Sequence, residues 1–470
     1  MPRQSKRVAA GAAKANVNLK QQKRSASASA SGGASSDTSS GSGSGSTFGF
    51  RRASVADIAS GTLWAPRDRS YCLDEGESDL WRQILAERGW KDAGQLCDSR
   101  EELVEIVAGE RKPPAGARRR CLYLSLQPRE HNVLCRLPQD DQRWRLCLFP
   151  GIEAACKKNA TAAQFARMRP PPSHWPESYV LPCDKDALRA VAAQAKEDGA
   201  DRSIWIAKPT TAWGGAGIVV FDAASPEFDT FVSSERCALD VSRDGRSDDD
   251  TTSAYGTQHP DIGAALKRQS GTVVQRYVHR PMLVGDYKFH IRVYVLVTQL
   301  RPTPVAFLHT GGLVEFTTKA FSLDQSTLGR EFDPVVHLTN IAVQMSKENM
   351  GAVLEDKPGV GKGVVWTIDK FEQYLRSTAD AAHAAHAAPR GTKRGKAGGD
   401  SDAATDAADR RVARFWDQVC AASREVVSGV ASHASMKKFP NVPGRHFQHL
   451  GLDLVMDADE HVWLCECNDT

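Results

Sequence analysis

Apolar and polar residues alternate along several short stretches of the second half of the chain, a pattern that predicts half-buried β-strands. One stretch, 203–209, places Lys208 on the same face as Ile204 and Ile206. A longer stretch, 288–295, alternates four apolar residues with three basic-type residues, Lys288, His290 and Arg292. Two further stretches, 446–456 and 461–468, predict a β-hairpin.

Helical periodicity is weaker and more scattered. Residues 54–183 read as a mixed accessory segment, with helices predicted at 79–88 and 100–108 and a strand at 121–126. A further helix is predicted over 184–197, and the residue at its start, Asp184, is a suitable N-cap.

Two stretches of biased composition, 243–250 and 379–409, predict disordered loops that leave a compact core. The second stretch is rich in Ala, His, Gly and Lys and contains His383 and His386. Their spacing would suit a metal on a helix, but in an Ala-rich loop ordinary exposed histidines are the favoured interpretation.

Composition indicates a soluble protein of two or three domains. Hydrophobic residues make up 41% of the 470 residues, and no apolar stretch reaches the ~18 residues that a membrane span requires. Residues 1–53 carry nine Lys or Arg and one acid. The net charge of +4 therefore reflects a basic, Ser/Gly-rich, disordered tail, suited to acidic surfaces, and gives no support to a nucleic-acid-binding surface. An organelle transit peptide is the less favoured interpretation of this tail.

The eleven cysteines form no CxxC pair, which indicates reduced thiols in an intracellular compartment. The closest pair, Cys465 and Cys467, is expected on the strand face opposite Glu466.

A glycine-rich turn follows the strand that ends near Lys208. The residues Gly214, Gly215 and Gly217 allow backbone N–H groups to approach a polyphosphate closely. A glycine turn alone is common, but a lysine directly upstream favours phosphate binding over a lysine at an ordinary sheet edge.

The alternating strand 288–295 presents three basic-type side chains in a row. Such a row repels itself unless acids or an anion meet it. The residues alone leave two interpretations open, a solvated outer face and a site for a triphosphate.

The predicted hairpin supplies acids. If Met456 pairs with His461, Asp453 lies opposite Leu464 and diagonal to Glu466. One face then carries three oxygen-bearing side chains, Asp453, Glu466 and Asn468. Carboxylate and amide oxygens suit magnesium bound together with phosphates, and buried unpaired carboxylates are costly. A magnesium site is favoured over an exposed hairpin with ordinary acids.

The segment His337-Leu338-Thr339-Asn340 has two open interpretations, a helix cap and a nucleotide contact. Together with Phe149-Pro150-Gly151 and the stretches 204–221, 274–297 and 451–468, it resembles the tubulin–tyrosine ligase family, which includes glutamylating and glycylating enzymes. The resemblance runs from about Phe149 to the end of the chain. It implies an ATP-grasp fold, in which two α+β lobes clasp ATP, here behind an N-terminal accessory α/β domain and the disordered tail.

The implied domains are the tail 1–53, the accessory domain 54–183, a central lobe 184–284 and a C-terminal lobe 285–470 with the insertion 379–409. Relatives continue past the point where this chain stops, so a closing helix is expected beyond Thr470.

The resemblance also implies residue roles. ATP phosphates would meet Lys208, Lys288 and the loop of Gly214, Gly215 and Gly217. A hinge at the adenine would consist of Gln275, Arg276, Tyr277 and Val278. The nucleotide would further meet His290, Thr339 and Asn340, and Arg292 would steady the reacting carboxylate. Magnesium would be held by Asp453, Glu466 and Asn468.

The implied activity is ATP- and Mg2+-dependent ligation of a free amino acid, by tyrosination or glutamylation, to a carboxylate of tubulin tails through an acylphosphate. The implied location is the cytoplasm, on the cytoskeleton, a cilium or a flagellum, with neither a nucleic acid nor a membrane as a partner.

Two residues depart from the family pattern, because His290 stands where Asp is usual and Glu315 where Arg is common. These departures leave a second hypothesis, a nucleotide- or tubulin-binding pseudoenzyme. A third, an ATP-grasp ligase with another acceptor, is less favoured because the Lys-Phe-x-Ile-Arg and His-Leu-Thr-Asn motifs are retained.

Overall fold

Two β-sheets organise the part of the chain that the structure, a computed structural model, describes. The described residues are 50–53, 69–73, 87, 91–92, 111, 120–124, 144–147, 149, 151–197, 203–210, 212, 214–233, 271–386, 400–437 and 446–469.

The strands are β1 Phe50–Ala53, β2 Arg69–Leu73, β3 Lys91–Asp92, β4 Arg120–Leu124, β5 Trp144–Cys147, β6 Ser178–Leu181, β7 Ile204–Pro209, β8 Val219–Asp222, β9 Thr272–Arg276, β10 Leu283–Val284, β11 Tyr287–Gln299, β12 Val305–Phe316, β13 Val365–Thr367, β14 His446–Met456 and β15 Val462–Asp469. The α-helices are α1 Ile152–Cys156, α2 Lys158–Phe165, α3 Lys185–Glu197, α4 Pro226–Ser233, α5 Pro334–His337, α6 Ile341–Gln344, α7 Met350–Leu354, α8 Ile368–His386, α9 Asp400–Ser432 and α10 Ala434–Lys437. Short 3-10 helices cover Gln325–Thr327, Gly329–Glu331 and Lys347–Asn349.

The smaller sheet is antiparallel, with the strand order β6-β9-β7-β8. Its fully buried strand β7 is rich in apolar residues, and helices α3 and α4 cover one face. Trp205, Phe221 and Phe228 form the centre of that packing. This sheet holds Lys208 and the Gln275–Arg276 part of the predicted hinge in fixed positions.

The larger sheet has eleven strands, of which eight follow the order β1-β12-β11-β14-β5-β4-β2-β3. Strands β11, β12, β14 and β15 pair antiparallel, whereas β5, β4, β2 and β3 continue the sheet in parallel from β14. Strand β1 pairs in parallel with β12. The protein is therefore a mixed α and β fold in which segments far apart in sequence share one sheet.

Alternation along β11 explains how the sheet is covered. Phe289, Ile291, Val293 and Val295 are at most 1% exposed and belong to the core that packs against helices α8 and α9. The other face of β11 carries the basic-type residues and turns toward the smaller sheet's lysine strand, as the shared cavity described below shows. The strand pattern predicted for 288–295 is confirmed.

Several predicted elements need correction. The insertion 379–409 is helical at both of its described ends, because α8 continues to His386 and α9 begins at Asp400. Its alanines have the highest helix propensity of any residue, which outweighs the loop-like composition. His383 lies within α8 and His386 is its last residue. The last four residues of the predicted tail form β1.

The helix predicted from Asp184 is present, but the Asp184 carboxylate accepts a hydrogen bond from the backbone N–H of Val180 at 2.7 Å and so ties the helix to β6. The strand predicted at 121–126 is β4, which begins one residue earlier. The predicted helices at 79–88 and 100–108 and the loop 243–250 lie outside the described residues, apart from Glu87. No helix in the described part of the chain is long and apolar enough to cross a membrane.

Candidate active site

A cavity between the two sheets collects most of the residues that the sequence singles out. Strands β7 and β9 supply one wall, and β11, β14, β15 and the segment 337–340 supply the others. The predicted residues that line it are Lys208, Gln275, Arg276, Tyr277, Val278, Lys288, His290, Thr339, Asn340, Asp453 and Glu466. Of the remaining predicted residues, Gly215, Arg292 and Asn468 adjoin this lining.

Two buried lysines converge on the cavity. Lys208 is 7% exposed, and its ammonium group donates to Gln275 Oε1 at 2.7 Å and to the carbonyl of Cys465 at 3.1 Å. Lys288 is 6% exposed and donates to the Tyr277 hydroxyl and the His337 carbonyl, both at 2.8 Å. Burial lowers the pKa of Lys208 and lowers the pKa of Lys288 to about 7. Two buried amines with neutral hydrogen-bond partners make a site in which an anion would stabilise the ammonium form of both.

Several groups of the predicted adenine hinge already form hydrogen bonds or an ion pair within the protein. The backbone N–H of Arg276 donates to Glu177 and that of Tyr277 to Ile204. The Arg276 guanidinium lies 4.2 Å from the Trp205 ring centroid and pairs with Glu177 at 3.0 Å, so this side chain acts within the smaller sheet. Contacts to a base would therefore come from other groups of the hinge.

The glycine-rich turn needs its glycines. The φ angles of Gly214, Gly215 and Gly217 are 65°, 87° and 67°, a region that L-residues with a side chain rarely adopt. A Cβ atom on Gly215 would lie 3.0 Å from Val343 and 3.4 Å from the Asn340 side-chain oxygen. The turn thus lies directly against the segment that carries Asn340.

The basic row on β11 is not a solvated outer face, because Lys288 and His290 are buried. His290 Nδ1 hydrogen-bonds Thr339 Oγ1 at 2.7 Å, and its Nε2 lies 3.6 Å from Asp453 and 3.7 Å from Glu315. The Arg292 guanidinium donates to both Asp453 oxygens, at 2.5 and 2.7 Å. In this structure, acidic side chains therefore lie next to the basic row.

This pairing determines the protonation of Asp453. Burial raises its pKa, but His290 and the two-pronged bond from Arg292 outweigh burial and hold the pKa well below its usual range. For Arg292, burial lowers the pKa of the guanidinium. The hydrogen bonds to Asp453 outweigh burial, so that the pKa is raised above its usual value. Asp453 is thus an ionised carboxylate, the form that can bind a metal ion.

The predicted hairpin exists, but the predicted register is wrong. Met456 pairs with Val462 instead of His461, because the turn closes between Asp457 and His461. A β-bulge at Cys465 shifts the register by one more residue, so that Asp453 lies directly opposite Glu466 instead of Leu464. The same bulge places Cys465 in the cavity lining beside Glu466, which corrects the expectation that this cysteine faces the other side.

The three predicted metal ligands lie together on adjacent strands. Asn468 pairs with Gly451, and its amide nitrogen is 3.4 Å from Asp453 Oδ2. Among the described residues no group of three or more His, Cys, Asp or Glu side chains is arranged for a metal, and this set has two carboxylates and one amide. Such oxygen donors fit Mg2+, which commonly uses one or two carboxylates and keeps water and phosphate ligands.

One site residue was missed by the sequence reasoning. Lys158, near the start of α2, pairs with Glu466 at 2.8 Å and donates to the Ala212 carbonyl at 3.0 Å. It therefore links the hairpin to the residue just before the glycine-rich turn. Its position in sequence carries no signal of this role, because Lys158 is fifty residues from Lys208 and belongs to no recognisable motif.

Comparison with known proteins identifies the family. The sequence model of the Tubulin-tyrosine ligase family matches residues 145–393, more than half of the chain. The protein belongs to this family. The match includes the lysines, the glycine-rich turn and the segment 337–340, and it ends before the hairpin of β14 and β15.

Named relatives agree with this assignment. The chain is 24% identical over 410 residues to the mouse protein called probable tubulin polyglutamylase TTLL2, covering 85% of this chain and 56% of the relative. It is 31% identical over 213 residues to the rat probable tubulin polyglutamylase TTLL9, covering 43% and 40%. For the Xenopus tropicalis tubulin polyglutamylase TTLL7 the values are 22% over 336 residues, 69% and 28%. The chain thus spans about half, or less, of the length of these relatives.

Proposed function

We propose that this protein is an ATP- and Mg2+-dependent ligase that joins the amino group of an amino acid to a carboxylate of a tubulin tail. The observation that carries the proposal is the convergence, in one cavity, of two buried lysines and an ionised carboxylate. Family membership supports an amide-forming ligase. The names of the relatives support tubulin as the acceptor and glutamylation as the type of reaction.

ATP would occupy the cavity as the phosphoryl donor. Lys208 and Lys288 would bind its phosphates, with backbone N–H groups of Gly214, Gly215 and Gly217 covering them. The hinge formed by Gln275, Arg276, Tyr277 and Val278 would lie at the base, and His290, Thr339 and Asn340 at the sugar and phosphates. Burial of both lysines supports this assignment, because an anion relieves the cost of their buried charge.

Mg2+ would be held by Asp453, Glu466 and Asn468, and would supply neutralisation of phosphate charge. In the structure Glu466 is paired with Lys158. This ion pair would orient the Glu466 carboxylate for the metal.

The reaction proceeds in two balanced steps. An acceptor carboxylate oxygen attacks the terminal phosphorus of ATP, ADP leaves, and an acylphosphate results. The amine then attacks the acyl carbon, phosphate leaves with the shared oxygen, and the amine gives up a proton. Arg292, fixed by Asp453, would orient the acceptor carboxylate, and Lys288 would stabilise charge on the transferred phosphoryl group.

The sheet arrangement supports two ATP-grasp lobes. The smaller sheet would be the core of the central lobe, 184–284, with β6 added from the preceding segment, and the larger sheet the core of the C-terminal lobe, 285–470. The accessory domain, 54–183, would share the larger sheet through β5. A tubulin acceptor places the protein at the cytoskeleton.

A labelled acceptor tests the proposal. A tubulin-tail peptide with heavy-oxygen carboxylates is incubated with the protein, Mg-ATP and glutamate, tyrosine or glycine in separate reactions. We expect released phosphate to carry heavy oxygen, because the acylphosphate route transfers one carboxylate oxygen to phosphate. The matched control is Glu466→Gln, which removes one metal carboxylate while preserving size.

Heavy oxygen in phosphate from the wild type, absent with Glu466→Gln, supports the ligase. Tight ATP binding without phosphate release would favour the binding-only pseudoenzyme. Phosphate without label would contradict the acylphosphate.

A further inference from the structure

The segment 337–341 forms a wall of the cavity yet has little regular structure of its own. It lies between α5 and α6, each only four residues long. Helices of this length have no independent stability in water. The position of Thr339 and Asn340 must therefore come from contacts with the rest of the protein.

Those contacts are made largely by the polar face of the larger sheet. Lys288 donates to the His337 carbonyl at 2.8 Å, and His290 Nδ1 bonds Thr339 Oγ1 at 2.7 Å. Two neighbouring side chains of β11 thus hold alternate residues of the segment.

Glu315 and His290 are themselves a pair. They are directly opposed in the β11–β12 register, and Glu315 Oε2 lies 3.7 Å from His290 Nε2. The exposed fractions are 6% for Glu315 and 5% for His290. The nearby Arg292 is committed to Asp453 by two hydrogen bonds. Glu315 is therefore turned toward His290 and the segment, and it does not line the cavity.

A displacement of the segment would also disturb the glycine-rich turn, because the two lie in contact. Gly215 approaches so closely that a Cβ atom there would lie 3.4 Å from the Asn340 side-chain oxygen and 3.3 Å from Leu338. The wall and the turn are packed surfaces, so a shift in one disturbs the other.

We propose that Glu315 and His290 are positioning residues that fix the segment 337–341, and with it Thr339 and Asn340, for nucleotide binding. The proposal rests on the proposed function for the identity of the ligand, and it assigns Glu315 to the nucleotide instead of to the acceptor. A buried carboxylate that lies directly opposite a buried histidine is costly to replace by a cation.

Three variants and one control test this role. Glu315→Arg places a cation against His290 and removes the carboxylate beside it. Glu315→Gln keeps an oxygen beside His290 without the charge, and His290→Ala removes the bond to Thr339. The control Glu348→Arg makes the same change of charge at an exposed residue near the segment.

Each variant is measured in three ways: hydrogen exchange of the peptide that covers residues 337–344, the Kd for Mg-ATP, and the Kd for an acidic tail peptide. We expect Glu315→Arg and His290→Ala to speed exchange in this peptide. Both should weaken Mg-ATP binding by about tenfold, the effect of losing a hydrogen bond to a charged or buried group. Peptide affinity should change by less than about twofold, and Glu315→Gln and Glu348→Arg should stay within that range.

The outcomes separate this inference from the proposed function. If the wild type binds no Mg-ATP, the proposed function fails, and the exchange data alone decide the positioning role. Unchanged exchange in His290→Ala and in folded Glu315→Arg would overturn the inference. Stronger binding of the acidic peptide by Glu315→Arg, with ATP affinity unchanged, would also overturn it and assign Glu315 to the acceptor.

Discussion

Lys288 should couple nucleotide binding to proton uptake. Burial lowers its pKa to about 7, so above that pH the amine of the ligand-free protein is largely neutral. A bound polyphosphate would favour the ammonium form and return the pKa toward its usual value of 10.5. Nucleotide affinity should therefore fall as the pH rises through 7, because each binding event must then take up a proton.

The magnitude follows from these two pKa values. At about pH 6 the amine is already protonated, and at about pH 8 binding takes up nearly one proton per site. Linkage then predicts an affinity about tenfold weaker at pH 8 than at pH 6. Of the groups that face Lys288, His337 has a pKa lowered by burial to about 4 and stays neutral, and burial raises the pKa of Tyr277 well above its usual range. Lys208 and Cys465 are the other titratable neighbours.

The assay is calorimetric titration of Mg-ADP at several pH values in two buffers of different ionisation enthalpy, which counts the protons taken up. The matched variant is Lys288→Met, which keeps most of the length of the side chain and shares the background titration of the nucleotide. Between pH 6 and pH 8 we expect the affinity of the wild type for Mg-ADP to fall about tenfold more than that of Lys288→Met. Equal slopes in the two proteins would refute the assignment of Lys288 to the phosphates.

Three further outcomes are expected. Gly215→Ala should weaken ATP binding, because a φ of 87° strains any L-residue by about 1–2 kcal/mol. The control Gly361→Ala has the same φ and open space around it, and it should leave ATP binding unchanged. Equal losses of ATP affinity in the two variants would contradict a role for the glycine-rich turn. Lys158→Met should slow ATP turnover about tenfold, because it removes the ion pair with Glu466. Lys158→Arg keeps a positive charge and should recover part of the lost rate. A wild-type rate in Lys158→Met would contradict a role for Lys158 in the site. Phe371→Ala should lower the free energy of unfolding by about 3–5 kcal/mol in denaturant titration, because Phe371 is fully buried between the larger sheet and α9.

The sequence predicted several of the strands, among them β7, β11, β14 and β15, and the face of β11 that lines the cavity. Period-two alternation is a local property, so the faces of β11 and the lysine end of β7 could be read directly. The family resemblance implied that Lys208, Lys288 and Asp453 would share one site, and the structure places them in one cavity.

Features that depend on distant contacts could not be predicted in the same way. The bulge at Cys465 changes the register by one residue, and nothing in an alternating strand marks the extra position. Lys158 joins the site only because α2 packs beside β15. Glu315 stands where relatives commonly carry Arg, and only the structure shows that it is buried directly opposite His290.

The most direct test of the central claim is incorporation of radiolabelled glutamate, tyrosine or glycine, each alone, into purified tubulin in the presence of Mg-ATP. The account predicts that one of the three is incorporated by the wild type and none by Glu466→Gln. Absence of incorporation of all three by a folded protein that binds Mg-ATP would contradict the ligase.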